Sequence, residues 1–173
     1  LHPDRIAFYS YAHVPWIKGT GQRGFDDSNL PKDNEKRMLY EVGKALLIRN
    51  GYHEIGMDHF ALDTDSMYRS FGEGTLHRNF MGYSASKTKV MVGLAVSAIS
   101  DSWYSFAQNE KNLEDYYKRI DSNELPVFKG HVLNDEDLII RKHILNLICS
   151  FGTGWNEDEL YFSELPMVLE SLK

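Results

Sequence analysis

Arg5-Ile6-Ala7-Phe8-Tyr9-Ser10-Tyr11-Ala12 is a nearly continuous aromatic and apolar run that breaks at His13-Val14-Pro15. Such a run suits a strand buried on both faces, the pattern of parallel α/β sheets. From Trp16 to Pro31 the composition turns to Gly, Lys, Asp, Ser and Asn, the chemistry of a long loop. Beyond Pro31, Met38, Leu39, Val42, Ala45, Leu46 and Arg49 recur at helical spacing until Asn50-Gly51, which predicts a helix with a defined stop. A second strand is predicted from about Glu54 to Phe60, with Asp58 and His59 at its carboxyl end. Asp63-Thr64-Asp65-Ser66 then caps a short helix to about Phe71. Val90 to Ile99, rich in Val, Leu, Ala and Gly, reads as a third buried strand.

The remainder is predicted as a helix near Leu113 to Ile120, a break at Pro126, and a helix capped by Asn134-Asp135-Glu136-Asp137 that runs to about Phe151. A last helix begins near Glu157 and contains Pro166. Strand, helix, strand, helix, strand in this order predicts an α/β fold, a parallel sheet or part of a barrel. The helical segment after Pro126 is expected to belong to a second unit.

With 42% hydrophobic and 25% charged residues in 173, the chain has the profile of a globular domain rather than of a disordered segment. No apolar run approaches the roughly 20 residues of a membrane-spanning helix. The formal charge of −6 and the lack of a basic run argue against a sequence-independent grip on nucleic acid. Cys149 alone permits no internal disulfide, and cannot by itself hold a thiolate-ligated zinc or iron–sulfur centre; a reducing, cytoplasmic setting is the expectation. The chain opens with Leu1-His2-Pro3, shows no signal segment and stops within a helical pattern, so it reads as a fragment.

Several residues could carry chemistry. Gly19-Thr20-Gly21-Gln22-Arg23-Gly24 matches G-x-G-x-x-G, but it is not flanked directly by strand and helix as a dinucleotide site requires, and a flexible loop is the preferred reading. Asp58, His59 and His13 are placed at strand ends, where ligands gather in α/β folds. They suit an acid–base pair or a metal site, although a structural, hydrogen-bonded role is the blander alternative for each. His77-Arg78-Asn79-Phe80-Met81-Gly82-Tyr83 suits an anionic, planar ligand through charge-assisted bonds and stacking, or is simply a surface turn. Gly93 with Ala95, Ser97 and Ala98 allows close backbone approach, with packing the default. Cys149 and the Tyr116-Tyr117 pair are read as packing residues.

Several segments together resemble the bacterial oxygen-independent coproporphyrinogen III oxidase family, radical S-adenosylmethionine enzymes of haem biosynthesis. They include Tyr11-Ala12-His13-Val14-Pro15, Ile55-Gly56-Met57-Asp58-His59-Phe60-Ala61, Leu76-His77-Arg78-Asn79-Phe80, Val96-Ser97-Ala98-Ile99-Ser100, Ala107-Gln108-Asn109 and Leu147-Ile148-Cys149, in the family's order. The resemblance implies the latter part of an incomplete β/α (TIM-like) barrel over residues 1–125 and the beginning of a mostly helical C-terminal domain over 126–173. It implies oxidative decarboxylation of two propionates of coproporphyrinogen III to vinyl groups by a 5′-deoxyadenosyl radical. The cofactors implied are S-adenosyl-L-methionine and a [4Fe-4S] cluster, served by a reductant, in a cytoplasmic monomer that binds neither nucleic acid nor membrane. Ala12 and Ile99 match positions that line the S-adenosylmethionine sites. Tyr11, His13, Asp58, His59, Arg78 and Asn79 are substrate-binding candidates, because a tetracarboxylate calls for cationic and hydrogen-bonding partners. The family's C-x-x-x-C-x-x-C motif is absent, so catalytic residues stay unassigned, no metal ligand is expected in this chain, and the fragment alone is expected to be inactive. The rivals are a haem chaperone of the same architecture, a cluster-free tetrapyrrole-binding domain, and a metal-dependent hydrolase built on His13, Asp58 and His59.

Overall fold

The computed structural model describes residues 1–16, 22–24, 26–156, 158–159 and 167, and within them the chain is mixed α/β. It forms two compact units, Leu1–Arg69 and Ser70–Lys173.

The first unit contains β1 (Arg5–Ala7), α1 (Asp33–Arg49), β2 (Tyr52–Gly56) and β3 (His59–Leu62). The three strands form one antiparallel sheet in the order β1-β3-β2, with Arg5 opposite Ala61, Ala7 opposite His59, and Tyr52 opposite Leu62. β2 and β3 are joined by two residues, Met57 and Asp58, with φ of 40° and 66°. Positive φ at both positions is the geometry whose twist matches that of a hairpin. The buried apolar residues Tyr52, Ile55, Phe60, Ala61 and Met67 form the core of this unit. α1 is tied to β2 by Lys44, whose amine donates to Glu54 at 2.5 Å. It also accommodates the ring of Phe8: a Cβ on Gly43 would lie 2.2 Å from that ring, so the missing side chain makes the room. Asp33 and Glu35 in the first turn and Arg49 in the last complement the dipole of α1.

The second unit holds the hairpin β4 (His77–Asn79) and β5 (Gly82–Ser84), and an antiparallel sheet of β6 (Ile99–Asp101), β7 (Ser105–Asn109) and β8 (Val127–Val132). The short α2 (Ser66–Gly72) spans the division between units. α3 (Leu113–Asp121) connects β7 to β8, and α4 (Asp135–Ser150) follows β8. The Asn112 side chain accepts from the Glu114 and Asp115 N–H groups at the start of α3. At the start of α4, Asn134 and Asp137 form a reciprocal capping box, and Phe151 in a left-handed conformation (φ 55°) ends the helix. The Tyr83 hydroxyl donates to the Ile148 carbonyl at 2.9 Å, joining β5 to α4.

The four described helices fall where the periodicity places them, but the strands depart from the expected parallel sheet, since every paired strand described is antiparallel. Arg5–Ala12 is not one buried strand: β1 ends at Ala7 and is an edge strand with only Ile6 half-buried. The segment read as a strand from Glu54 to Phe60 is a hairpin, so Asp58 occupies its turn rather than a strand end. Val90–Ile99 is not a strand. Val90, Val92 and Leu94 are exposed, Ala95 and Ser97 have positive φ, and only Met91 bridges to Asp101. Gly93 explains this: its backbone lies so close to that of Ile99 that a Cβ would sit 2.8 Å from the Ile99 carbonyl, and Asn109 donates to the Gly93 and Ala95 carbonyls at 3.0 and 2.9 Å. The boundary expected at Pro126 falls between β7 and β8, which are paired. The helix expected from Glu157 lies largely outside the described residues, as do Gly19, Thr20 and Gly21 of the glycine motif. Among the described residues no helix is long and apolar enough to cross a membrane.

Candidate functional site

Two cavities, one in each unit, gather four of the eight candidate site residues, Tyr11 and His13 in the first and Arg78 and Asn79 in the second. The first, of about 430 Å³, is lined by Tyr9, Tyr11, His13, Asp27, Lys32, Lys36 and Tyr40, among others. His13 sits in its wall with Tyr11 stacked beside it at 6.1 Å between ring centroids. The His13 ring faces two acceptors, with Nδ1 against the Asp27 carboxylate and Nε2 3.0 Å from the Gln22 carbonyl. Both nitrogens can donate only as imidazolium, and these bonds raise its pKa above the ordinary histidine value, Asp27 first and Gln22 second. The Gln22 side chain meanwhile donates to the Ala12 carbonyl at 3.2 Å and accepts from the Val14 N–H at 2.6 Å. One glutamine therefore grips the backbone on both sides of His13, and this grip holds exposed Ala12 in place beside the cavity.

Asp58 lines a smaller neighbouring cavity with Ser10, Lys36 and Tyr40, and its own carbonyl accepts from the Phe8 N–H at 2.7 Å. Burial, reinforced by a hydrogen bond to Asp58, pushes the Tyr40 hydroxyl up to about 12. The ring of His59 turns back on the hairpin, with Nδ1 2.8 Å from the Met57 carbonyl. Tyr11 and His13 thus meet at one cavity, Asp58 borders the next, and His59 lines neither. Among the described residues no three His, Cys, Asp or Glu side chains form a group suited to a metal ion.

The second cavity, of about 600 Å³, is lined by Arg78, Asn79, Phe80, Asp101, Phe106, Arg141 and apolar residues of α4. Asn79 closes the β4–β5 turn by accepting from the Met81 N–H at 2.8 Å. Arg78, opposite Tyr83 in the hairpin, holds its guanidinium 4.9 Å from the centre of that ring. Burial pushes the Tyr83 hydroxyl up to about 12 and also raises the Cys149 thiol. Arg141 binds both oxygens of Asp101, at 3.0 and 2.7 Å, and lies over Trp103 and Phe106. Buried His77 is held below the ordinary histidine range by desolvation, then by Lys87 and Arg141. Ile99 lines a third cavity, of about 260 Å³, with Phe80 and Phe106. The sequence reading missed Lys32, Lys36, Gln22 and Arg141. Lys32 is the N-cap residue of α1 and Lys36 lies in its first turn, and this spacing of four was the available signal.

No protein-family model matches the chain. It is 40% identical over 151 residues to the oxygen-independent coproporphyrinogen III oxidase of Escherichia coli, covering 87% of this chain and 33% of that protein. The protein of the same name from Synechocystis is 39% identical over 159 residues, 92% of this chain and 34% of that one. That from Helicobacter pylori is 35% identical over 163 residues, 94% and 35%. Among solved structures, coproporphyrinogen III oxidase (HemN) from Escherichia coli, a radical SAM enzyme, matches with a TM-score of 0.80 at 40% identity, over 86% of this chain and 34% of that one. The chain spans about a third of the length of these relatives, and over most of its own length it is similar, in sequence and in fold, to that third of an oxygen-independent coproporphyrinogen III oxidase.

Proposed function

We propose that the chain is part of a haem-biosynthesis enzyme that oxidatively decarboxylates two propionates of coproporphyrinogen III, giving protoporphyrinogen IX. One observation carries the reading: 40% identity over 151 residues together with a TM-score of 0.80 against an enzyme of that name. In that enzyme the chain contributes the latter part of an incomplete β/α barrel and the start of a helical C-terminal domain. The work belongs to a cytoplasmic protein supplied with electrons by a separate reductant.

The chain's own residues do not fit an iron–sulfur cluster. Its one cysteine, Cys149, is buried on α4 with a raised thiol pKa, and a cluster needs several thiolates. S-adenosylmethionine has two matching positions here: the Ala12 backbone, exposed beside the first cavity, and Ile99, at the third. The residues proposed to meet the substrate are Tyr11 and His13, backed by the Lys32 and Lys36 amines of the same cavity. In the second unit they are Arg78 and Asn79. Cationic groups among aromatic rings suit a planar polycarboxylate. Asp58 and His59 act through the hairpin, holding Phe8 and the turn.

The test is a chimera in which this chain replaces the matching third of the Escherichia coli enzyme, assayed anaerobically for conversion of coproporphyrinogen III. Turnover by the chimera, with none by the chain alone, is the expected result. A folded chimera that binds the tetrapyrrole without turnover would transfer the reading to a binding domain of the same shape.

A further inference from the structure

The charges around the second cavity are accounted for with one exception. Arg141 is committed to Asp101 and to the Trp103 carbonyl, the latter at 3.0 Å. Asp137 is committed to His131 at 3.0 Å and to the Asn134 N–H at 3.1 Å. Arg78 has no carboxylate partner among the described residues, and its Nη1 is buried without a hydrogen-bond partner. A guanidinium N–H shut away from water and left unpaired costs free energy that an incoming acceptor would recover. The planar fork of arginine matches a carboxylate better than any neutral acceptor.

The rest of the wall decides what kind of carboxylate. Phe80, Phe106, Ile140, Ile144 and Ile148 surround the site, and Phe80 and Phe106 meet edge to face at 5.1 Å. A small hydrophilic anion would leave these surfaces wet, whereas a ligand with an apolar body would cover them. About 600 Å³ is room for a body of several fused rings or a comparable chain. Of the carboxylates on the lining, Asp101 is neutralised by Arg141, and Asp137 is turned to His131 and the Asn134 N–H rather than to Arg78.

We propose that this cavity binds an amphipathic carboxylate, with the carboxylate on Arg78 Nη1 and the apolar body against Phe80, Phe106 and the isoleucines of α4. Identifying the natural carboxylate as a propionate of coproporphyrinogen rests on the function proposed above; the cavity's preference does not.

The experiment titrates the 173-residue chain with 1-pyrenebutyrate and, separately, with its neutral analogue 1-pyrenebutanol, following pyrene fluorescence. The carboxylate is expected to bind about tenfold more tightly, as one charge-assisted hydrogen bond allows. Arg78→Met is expected to bring the two probes within twofold of each other, and Ile144→Trp, which fills the wall, to weaken both. Should Arg78→Met fail to fold by circular dichroism, Arg78→Lys decides, since it keeps charge and stem but loses the fork; a loss of at least threefold in the preference is expected. Equal binding of the two probes by the parent chain, or an undiminished preference in the folded Arg78 variant, overturns the proposal. An inactive chimera with a normal pyrenebutyrate preference would refute the enzyme reading and leave this site standing; the reverse pair of results would do the opposite.

Discussion

Arg141→Met isolates the ion pair that holds β6 to α4. In the parent chain the Arg141 and Asp101 side chains are 12% and 8% exposed, and the guanidinium spans both carboxylate oxygens. Removing one member of such a pair strands the other charge in a poorly solvated place, at a cost of about 3–5 kcal/mol. Asp101 keeps one partner in the variant, the Trp103 N–H at 2.9 Å, and methionine replaces part of the stem that packs on Trp103 and Phe106. Both features place the expected loss at the lower end, about 3 kcal/mol, or a fall in melting temperature of about 6–12 °C for a chain of this size. The assay is equilibrium urea unfolding followed by circular dichroism, run as a cycle with Asp101→Asn and the double variant. Because the double variant has no charge left to strand, it is expected to recover at least half of the loss. A midpoint for Arg141→Met unchanged within error, or a double variant whose loss equals the sum of the singles, would refute the coupling.

Gly93→Ala is expected to destabilise the second unit by about 1–3 kcal/mol in the same urea assay. The added Cβ would lie 2.8 Å from the Ile99 backbone, which, unlike a side chain, has no rotamer to escape into. Asn134→Ala removes the capping box of α4 and is expected to cost about 1 kcal/mol, read as a shift in urea midpoint without a change in slope. The His13–Asp27 contact raises the His13 pKa, so its stabilisation is complete below the unfolded value of about 6.5 and disappears as pH rises through the folded value. Protease cleavage in the loop around Gln22 to Asn29 is therefore expected to accelerate with pH across that window, and Asp27→Asn to flatten the dependence; a parent chain cleaved at the same rate at pH 6 and pH 8 would contradict it.

Helices were legible here because their signals are local. Asn134 with Asp137 three residues on is a capping box in sequence and in structure, and Asn50-Gly51 stops α1 where the periodicity predicts. What the period of α1 does not disclose is which partner its stripe meets. Met38, Leu39, Val42, Leu46 and Ile48 are all exposed, and the helix buries none of its residues. The strands are less legible for a related reason. An unbroken apolar run is the mark of a strand buried on both faces, but Tyr9 and Tyr11 in the run from Arg5 to Ala12 are exposed and line a cavity instead. Met57-Asp58 carries none of the Asn-Gly chemistry that marks a two-residue hairpin, so one strand was predicted where the backbone makes two.

The site was legible to the degree that its residues act through their own side chains. Tyr11 and His13 line the first cavity and Arg78 and Asn79 the second, as a search for cationic, aromatic and hydrogen-bonding groups would have them. Gln22 escaped that search because its importance lies in what it holds. Its amide is bonded to the Ala12 carbonyl and the Val14 N–H, and its carbonyl to His13, contacts between positions eight to ten apart in the chain that sequence spacing alone does not disclose. Arg141 escaped it for the opposite reason, since its charge is spent on Asp101, 40 residues away in the chain. That pairing is what leaves Arg78 as the cation of the second cavity with a buried donor still unpaired. The selectivity of that cavity thus depends on a contact between two residues that never touch the ligand's carboxylate, and Arg78→Met and Arg141→Met should act in different ways: the first loses the preference for an anion at little cost in stability, the second lowers the stability of the wall on which that preference is built.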